Sequence, residues 1–199
     1  MRISLLALAL LLLRPAPASA EWQIKPFLGV TFGGVTTIFV PDLNVGDRKI
    51  AFGINGVLLG EIFGIEADFG HTPGFFNADR QHLVVQSGAT TLTGNIVIAL
   101  PRHLAQYTLR PYLVGGAGLM HADTENAAGV LQASENLPAM DVGGGVTGFL
   151  TDRIGVGWDL RWFNSFGGTA TTISFGKPEQ LSFWRFNMAV AIRLTRSSQ

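Results

Sequence analysis

The chain contains no cysteine, so disulfide bonds and a lipid anchor on an N-terminal cysteine are both excluded. Charged side chains make up only 14% of the residues, and 14 basic residues balance 14 acidic ones. Nucleic acid is therefore not an expected partner, because its binding proteins carry a basic patch. Hydrophobic residues reach 47%, yet beyond residue 20 no apolar run is long enough to cross a bilayer as a helix. A membrane protein of this composition would have to use strands.

The first twenty residues have the three parts of an export signal. Arg2 precedes an apolar stretch over residues 3–13, and Ala18, Ser19 and Ala20 supply small residues at a cleavage site. A retained anchor would need a longer apolar run. We therefore expect a cleavable signal peptide over residues 1–20 and one domain over residues 21–199.

Eight segments alternate apolar and polar residues with the period of a strand. Their approximate spans are 22–33, 48–59, 62–72, 89–100, 108–119, 139–150, 154–164 and 182–194. The connections alternate long and short, with long segments around residues 41–42 and over 74–87, 122–138 and 165–180. This alternation of long and short connections predicts an all-β fold, an eight-stranded antiparallel up-and-down transmembrane β-barrel. Short turns and both termini would face the periplasm, and four long loops the outside.

The segment 154–163 shows how the two strand faces differ. Trp158 and Trp162 share one face with aliphatic residues, whereas Asp159 and Arg161 lie on the other. An apolar face of this kind suits a soluble β-sandwich core or a lipid environment. The export signal and the repetition of the pattern in other strands favour lipid. An aromatic girdle at the membrane interfaces is then expected from Trp22, Phe69, Tyr112, Trp158, Trp162, Phe183 and Trp184.

The same strand phases direct seven charged side chains into the barrel. They are Lys25, Glu66, Asp68, Asp141, Asp159, Arg161 and Arg185. These charges could line a pore or an ion path, or they could pair and plug the lumen. Eight strands leave an interior that side chains just fill, and unpaired buried charges are costly, so a plug is favoured. We expect Arg161 and Arg185 to pair with Glu66, Asp68 or Asp159.

Metal and cofactor sites are not predicted. The four histidines, at positions 71, 82, 103 and 121, lack metal-ligand spacing and are expected on loop surfaces. His121 with Asp123 and Glu125 could hold a cation weakly, although a solvated acidic loop is favoured. Gly143, Gly144 and Gly145 lie in a strand and are not followed by the lysine of a phosphate loop.

Two segments resemble the OmpA-like eight-stranded outer-membrane β-barrel family, which includes small porin-family proteins. One segment, 141–163, contains Gly-Gly-Gly-Val, Phe-Leu-Thr-Asp-Arg and Asp-Leu-Arg-Trp; the other, 110–118, contains Arg-Pro-Tyr-Leu and Gly-Gly-Ala-Gly. The resemblance implies the outer membrane of a Gram-negative bacterium, contact with its lipids and insertion by the barrel-assembly machinery. Family members commonly end on an aromatic residue, whereas here the last strand ends at Leu194.

Enzyme activity is not expected. Small outer-membrane barrels include lipid A deacylases with a His and a Ser two residues apart. The comparable place in this chain reads Phe163, Asn164 and Ser165, so the general base is missing.

The favoured function is a structural or surface-interaction scaffold with a charge-plugged lumen, whose long loops could meet an extracellular ligand. The first alternative is a narrow transporter for small or hydrophobic solutes, and the less favoured one is a lipid-modifying enzyme.

Overall fold

A computed structural model describes residues 20–36, 48–75, 84–105, 109–126, 132–166 and 181–194. They form eight antiparallel strands that close into one barrel, which confirms the predicted all-β, eight-stranded antiparallel architecture. The strands are β1 (Glu21–Thr36), β2 (Lys49–Leu59), β3 (Phe63–Pro73), β4 (Val84–Ala99), β5 (Leu109–Asn126), β6 (Gln132–Phe149), β7 (Ile154–Ser165) and β8 (Leu181–Arg193). The expected signal peptide, except for Ala20, lies outside the described residues.

Each strand pairs with its neighbours in the sequence, and β8 closes the barrel against β1. The even number of strands brings the start of β1 and the end of β8 to the same end. We call this the turn end, because the short connections after β2, β4 and β6 lie there as well. The opposite end is the loop end. Among the described residues, no helix is long and apolar enough to span a membrane.

The third predicted long loop is mostly strand. Residues 122–138 were expected to connect two strands, but β5 continues to Asn126 and β6 begins at Gln132. The backbone ladder in this region pairs His121 with Asn136 and Ala122 with Glu135. Backbone hydrogen bonds do not require alternating hydrophobic residues, so the ladder continues where the apolar pattern has ended.

Exposure alternates along the strands with apolar residues outside and polar residues inside. In β4, Thr93 and Asn95 are buried, whereas Leu92 and Ile96 are 55% and 62% exposed. The two tryptophans of β7 project outward, while Asp159 and Arg161 are buried. This distribution is the reverse of a soluble protein and matches the predicted strand phases.

The lumen is packed in three layers. An apolar layer near the turn end consists of Val57, Leu59, Val97, Ala99, Tyr112 and Val114. Charged and amide side chains occupy the middle. A second apolar layer closes the loop end with Phe75, Ala89, Met120, Ala122, Leu137, Ala139, Phe163, Leu181 and Phe183.

Two members of the predicted aromatic girdle were assigned to the wrong face. Tyr112 and Phe183 are 8% and 2% exposed and lie in the inner layers rather than on the outer surface. Both follow the inward phase of their strands, because Tyr112 is two residues before Val114 and Phe183 two before Arg185. Strand phase therefore decides their position, and aromatic character does not.

Candidate functional site

Arg161, on β7, lies at the centre of the middle layer and is fully buried. Its guanidinium group contacts Glu66 on β3 at two points: Nη1 donates to Oε1 at 2.5 Å and Nη2 to Oε2 at 3.1 Å. Nε donates to Oδ1 of Asp159 at 3.0 Å. Nη1 also lies 3.6 Å from Asp68 and 3.7 Å from Asp141. One arginine therefore faces four carboxylates across the lumen.

Arg185, on β8, is the second buried arginine of this layer. Its Nη2 donates to Oδ2 of Asp68 at 2.5 Å, and its Nη1 donates to the Thr91 hydroxyl at 3.2 Å. The guanidinium carbon lies 4.7 Å from the ring centroid of Phe27 and 4.6 Å from that of Phe163. Two rings and two polar partners thus hold this cation in place.

Neutral side chains donate further hydrogen bonds to the buried carboxylates. The Asn95 amide donates to Glu66 at 3.1 Å and to Asp141 at 3.3 Å. Asn187 and the hydroxyl of Tyr112 donate to the two carboxylate oxygens of Asp159 at 2.8 and 3.2 Å. These bonds stabilise negative charge where water is excluded.

The structure brings six of the seven predicted side chains into this one network: Glu66, Asp68, Asp141, Asp159, Arg161 and Arg185. The seventh, Lys25 on β1, lies toward the turn end. Its ammonium group donates to the Thr147 hydroxyl at 3.0 Å and lies 4.8 Å from the centroid of the Tyr112 ring. Among the described residues, no carboxylate comes within 4.0 Å of it.

A further ionic group, which the sequence analysis missed, lies at the turn end. Glu21 is buried and accepts from Arg102 at 2.6 Å and from Arg193. Arg193 also stacks on the ring of Phe149 at 3.8 Å. Inward-facing residues of β1 recur at every second position, so the one that precedes Gln23 is Glu21, and the pattern could have identified it. Arg102 lies in a short 3₁₀ turn, where strand periodicity gives no signal.

A cavity of about 420 Å³ lies between these two ionic groups. Its lining includes Lys25, Gln23 and Thr147 on one side, and Val57, Val97 and other members of the turn-end apolar layer on the other. The middle layer closes it toward the loop end. The lumen therefore holds a recess that opens at the turn end.

The three histidines that the structure describes do not gather into a metal site. His71 and His121 lie on β3 and β5 rather than in loops, and their Nδ1 atoms are 2.9 Å from Thr90 and Asn136. His103 is exposed in the 3₁₀ turn, and His82 lies outside the described residues. In the part of the chain that the structure describes, no three His, Asp, Glu or Cys side chains are grouped as metal ligands.

Ser165, the candidate nucleophile considered above, is fully buried near the loop end. Its hydroxyl oxygen accepts the backbone N–H of Leu181 at 2.8 Å. A structural bond therefore accounts for this serine.

Comparisons with known proteins identify the fold. No protein-family model and no curated protein sequence matches the chain. Among solved structures, Neisserial surface protein A is similar over 86% of this chain and 96% of its own, with a TM-score of 0.61 and 9% identity. Outer membrane protein OprG from Pseudomonas aeruginosa matches over 89% and 97%, with a TM-score of 0.55 and 10% identity.

A third similar structure is Ail, the attachment invasion locus protein of Yersinia pestis, solved with the heparin analogue sucrose octasulfate. It covers 87% of this chain and 99% of its own, with a TM-score of 0.52 and 12% identity. The TM-scores of these three structures show a shared fold, and identities this low carry no shared ligand. The chain thus has the fold of the small eight-stranded outer-membrane β-barrels, the group that its sequence resembles.

Proposed function

We propose that the protein is an outer-membrane barrel of a Gram-negative bacterium that acts as a closed scaffold and presents its loop end to the cell exterior. The buried network around Arg161 carries the first part of this proposal. Its side chains fill the middle of the lumen, and the apolar layer around Phe163 and Phe183 covers them. A wide aqueous channel would require both layers to be displaced.

The long hairpin of β5 and β6 supports a role in surface interaction. Beyond the pair His121 and Asn136, β5 continues for five residues and β6 begins four residues earlier. At about 3.3 Å per residue, this ribbon extends roughly 16 Å along the strand direction. A paired ribbon of this kind offers a preformed surface to a partner outside the cell. Attachment is also the role named for Ail, which shares the fold.

Adhesion of expressing bacteria to epithelial monolayers and matrix-coated surfaces tests the surface role. A shortened variant replaces residues 123–134 by Asn-Gly, a sequence suited to a two-residue turn between the paired residues Ala122 and Glu135. We expect the full chain to raise adhesion above an empty-vector strain and the shortened variant to lose the gain. The control carries Asn-Gly at Asp152 and Arg153, in the exposed turn at the other end. Equal adhesion of full and shortened chains would contradict the surface role.

Planar-bilayer recording tests the closed lumen. We expect the purified protein to show no large, steady conductance, because paired side chains occupy the middle layer. A stable open channel would exclude a plugged barrel.

A narrow transporter is the second candidate, and the turn-end cavity is the observation that favours it. Transport would require a solute to pass from the cavity through the network of Arg161 and Glu66. Uptake of labelled solutes into proteoliposomes distinguishes the two functions, since a closed scaffold gives the same uptake as protein-free vesicles.

We also propose that the chain is not an enzyme. The bonding of Ser165 to the backbone of Leu181 supports this, because the hydroxyl is buried and already engaged. A mass shift of lipid A upon expression of the protein would contradict it.

A further inference from the structure

The turn-end cavity joins an apolar wall to a buried positive charge. Its apolar wall comes from β2, β4 and β5, with Val57, Leu59, Val97 and Ala99 at most 5% exposed. The facing wall comes from β1 and β6 and carries Gln23, Lys25 and Thr147. Pockets for small ligands commonly measure about 300–1,000 Å³ and pair apolar walls with a few polar groups. This cavity has that size and that composition.

Among the described residues, no carboxylate forms a close ion pair with the buried Lys25 ammonium. Four basic side chains (Lys25, Arg102, Arg110 and Arg193) and three acidic ones (Glu21, Glu66 and Asp152) line the cavity. The two buried carboxylates are engaged by arginines, Glu66 by Arg161 and Glu21 by Arg102 and Arg193. The Lys25 ammonium has a hydroxyl and an aromatic ring as its near partners. A buried cation without a close anion is costly, so an anion entering here would be stabilised.

A second polar atom of the same wall can also bind a ligand, because it is a hydrogen-bond acceptor without a donor. Gln23 is 2% exposed, and its Nε2 donates to Glu21 at 2.8 Å. Its Oε1 has no hydrogen-bond partner. A buried acceptor left without a donor costs free energy that a hydroxyl or a water molecule in the cavity would recover. Both observations point to an occupant with polar groups at this wall.

We propose that the turn-end cavity binds a small amphipathic carboxylate, with its carboxylate at Lys25 and its hydrocarbon part against Val57, Val97 and Ala99. The charge-assisted bond to the ammonium group fixes one end of the ligand. The apolar wall contributes by removing hydrocarbon from water. The Arg161 network closes the cavity toward the loop end, so the ligand enters and leaves at the turn end. This site does not depend on the adhesive role of the loop end.

Octanoate is a suitable probe, and the three lysines of the chain make it directly testable. Lysine labelled with ¹³C at the ε-carbon gives signals from Lys25, Lys49 and Lys177 alone. In protein reconstituted in lipid nanodiscs, octanoate is expected to shift the Lys25 signal saturably and to leave Lys49 unchanged. Octanol has the same chain length without the charge and is expected to bind about tenfold more weakly.

Two variants separate the charge from the cavity. Lys25→Met removes the charge and is expected to weaken binding of radiolabelled octanoate about tenfold, whereas the matched Lys49→Met leaves it unchanged. Ala99→Phe fills the apolar wall, keeps Lys25 and is expected to abolish the shift. Heat-modifiable migration on gels verifies that each variant is folded. An octanoate response absent from the wild-type Lys25, or equally strong in Ala99→Phe, would overturn the site. The adhesion assay is unaffected by either result.

Discussion

At the scale of single residues, Arg161 holds its position because its charge is matched on several sides. Moving a guanidinium group out of water costs several kcal/mol, and only close anions and further hydrogen bonds repay that cost. Glu66 supplies a two-point contact and Asp159 a third bond. Asn95 and Asn187 each donate a further hydrogen bond to an oxygen that Arg161 also contacts, Oε1 of Glu66 and Oδ1 of Asp159. The stability of the arginine and that of the acids are therefore interdependent.

Replacement of Arg161 by methionine is expected to be strongly destabilising. It removes the cation but leaves Glu66 and Asp159 buried, so we expect a loss of about 3–5 kcal/mol in the free energy of unfolding. Urea titration in phospholipid vesicles measures this value. Arg48→Met is the matched control, because Arg48 is exposed at the loop end, and it should change stability by less than about 0.5 kcal/mol.

A double variant checks the physical reason. Adding Glu66→Gln to Arg161→Met removes one of the buried carboxylates that has lost its cation, so part of the lost stability should return. The cost of Glu66→Gln is also measured in the wild-type chain. If Glu66→Gln lowers the stability of Arg161→Met by the same amount, the two residues are not coupled as the contacts indicate.

At the scale of the strands, glycine makes room for the network. Gly116 on β5 faces inward opposite Asn95. A Cβ atom there would lie 2.7 Å from the Cα of Asn95 and would also collide with the backbone oxygen of Gly94. Gly94 faces outward, and a Cβ atom there would meet no atom within 4 Å. The inward Gly116 thus lets β4 and β5 approach each other closely, whereas the outward Gly94 leaves open space.

Substitutions at these two glycines should therefore have opposite outcomes. Gly116→Ala is expected to cost about 1–3 kcal/mol, because backbone atoms must move to admit the methyl group. Gly94→Ala should be neutral or slightly stabilising, because glycine weakens a strand interior. Urea titration of both variants under the same conditions compares them. Equal stabilities would mean that the close approach at Gly116 is not limiting.

Strand phase was predictable from the sequence because charges such as Asp159 and Arg161 fall on one side of a period-2 pattern. The pairing of individual charges was not, since Glu66 and Arg161 are 95 residues apart and meet only when the barrel closes. Alternation also stopped short of the outer parts of β5 and β6, where polar residues follow each other. The 3₁₀ turn that carries Arg102 has no periodicity at all.

At the scale of the whole molecule, the apolar outer surface sets the environment in which the fold is stable. Large hydrophobic side chains such as Phe63, Ile96 and Leu113 are more than half exposed on consecutive strands. In water this surface would favour aggregation, because soluble monomers rarely expose extended apolar patches. We therefore expect hydrocarbon to be the solvent that stabilises it, and heat-modifiable migration of detergent-extracted protein is the expected property of such a closed barrel.

A lysine on the outer surface tests that solvent directly. Ile96 lies four residues from Leu100 and six from Thr90 along the outward face of β4 and is 62% exposed. Near the middle of a bilayer, Ile96→Lys is expected to cost about 2–4 kcal/mol, whereas Leu150→Lys, in the exposed turn after β6, should cost about 0–1 kcal/mol. Urea titration in vesicles, with folded protein scored by gel migration, measures both. A water-exposed outer face would tolerate a lysine at position 96, so an unaffected Ile96→Lys protein recovered without detergent would refute the membrane location.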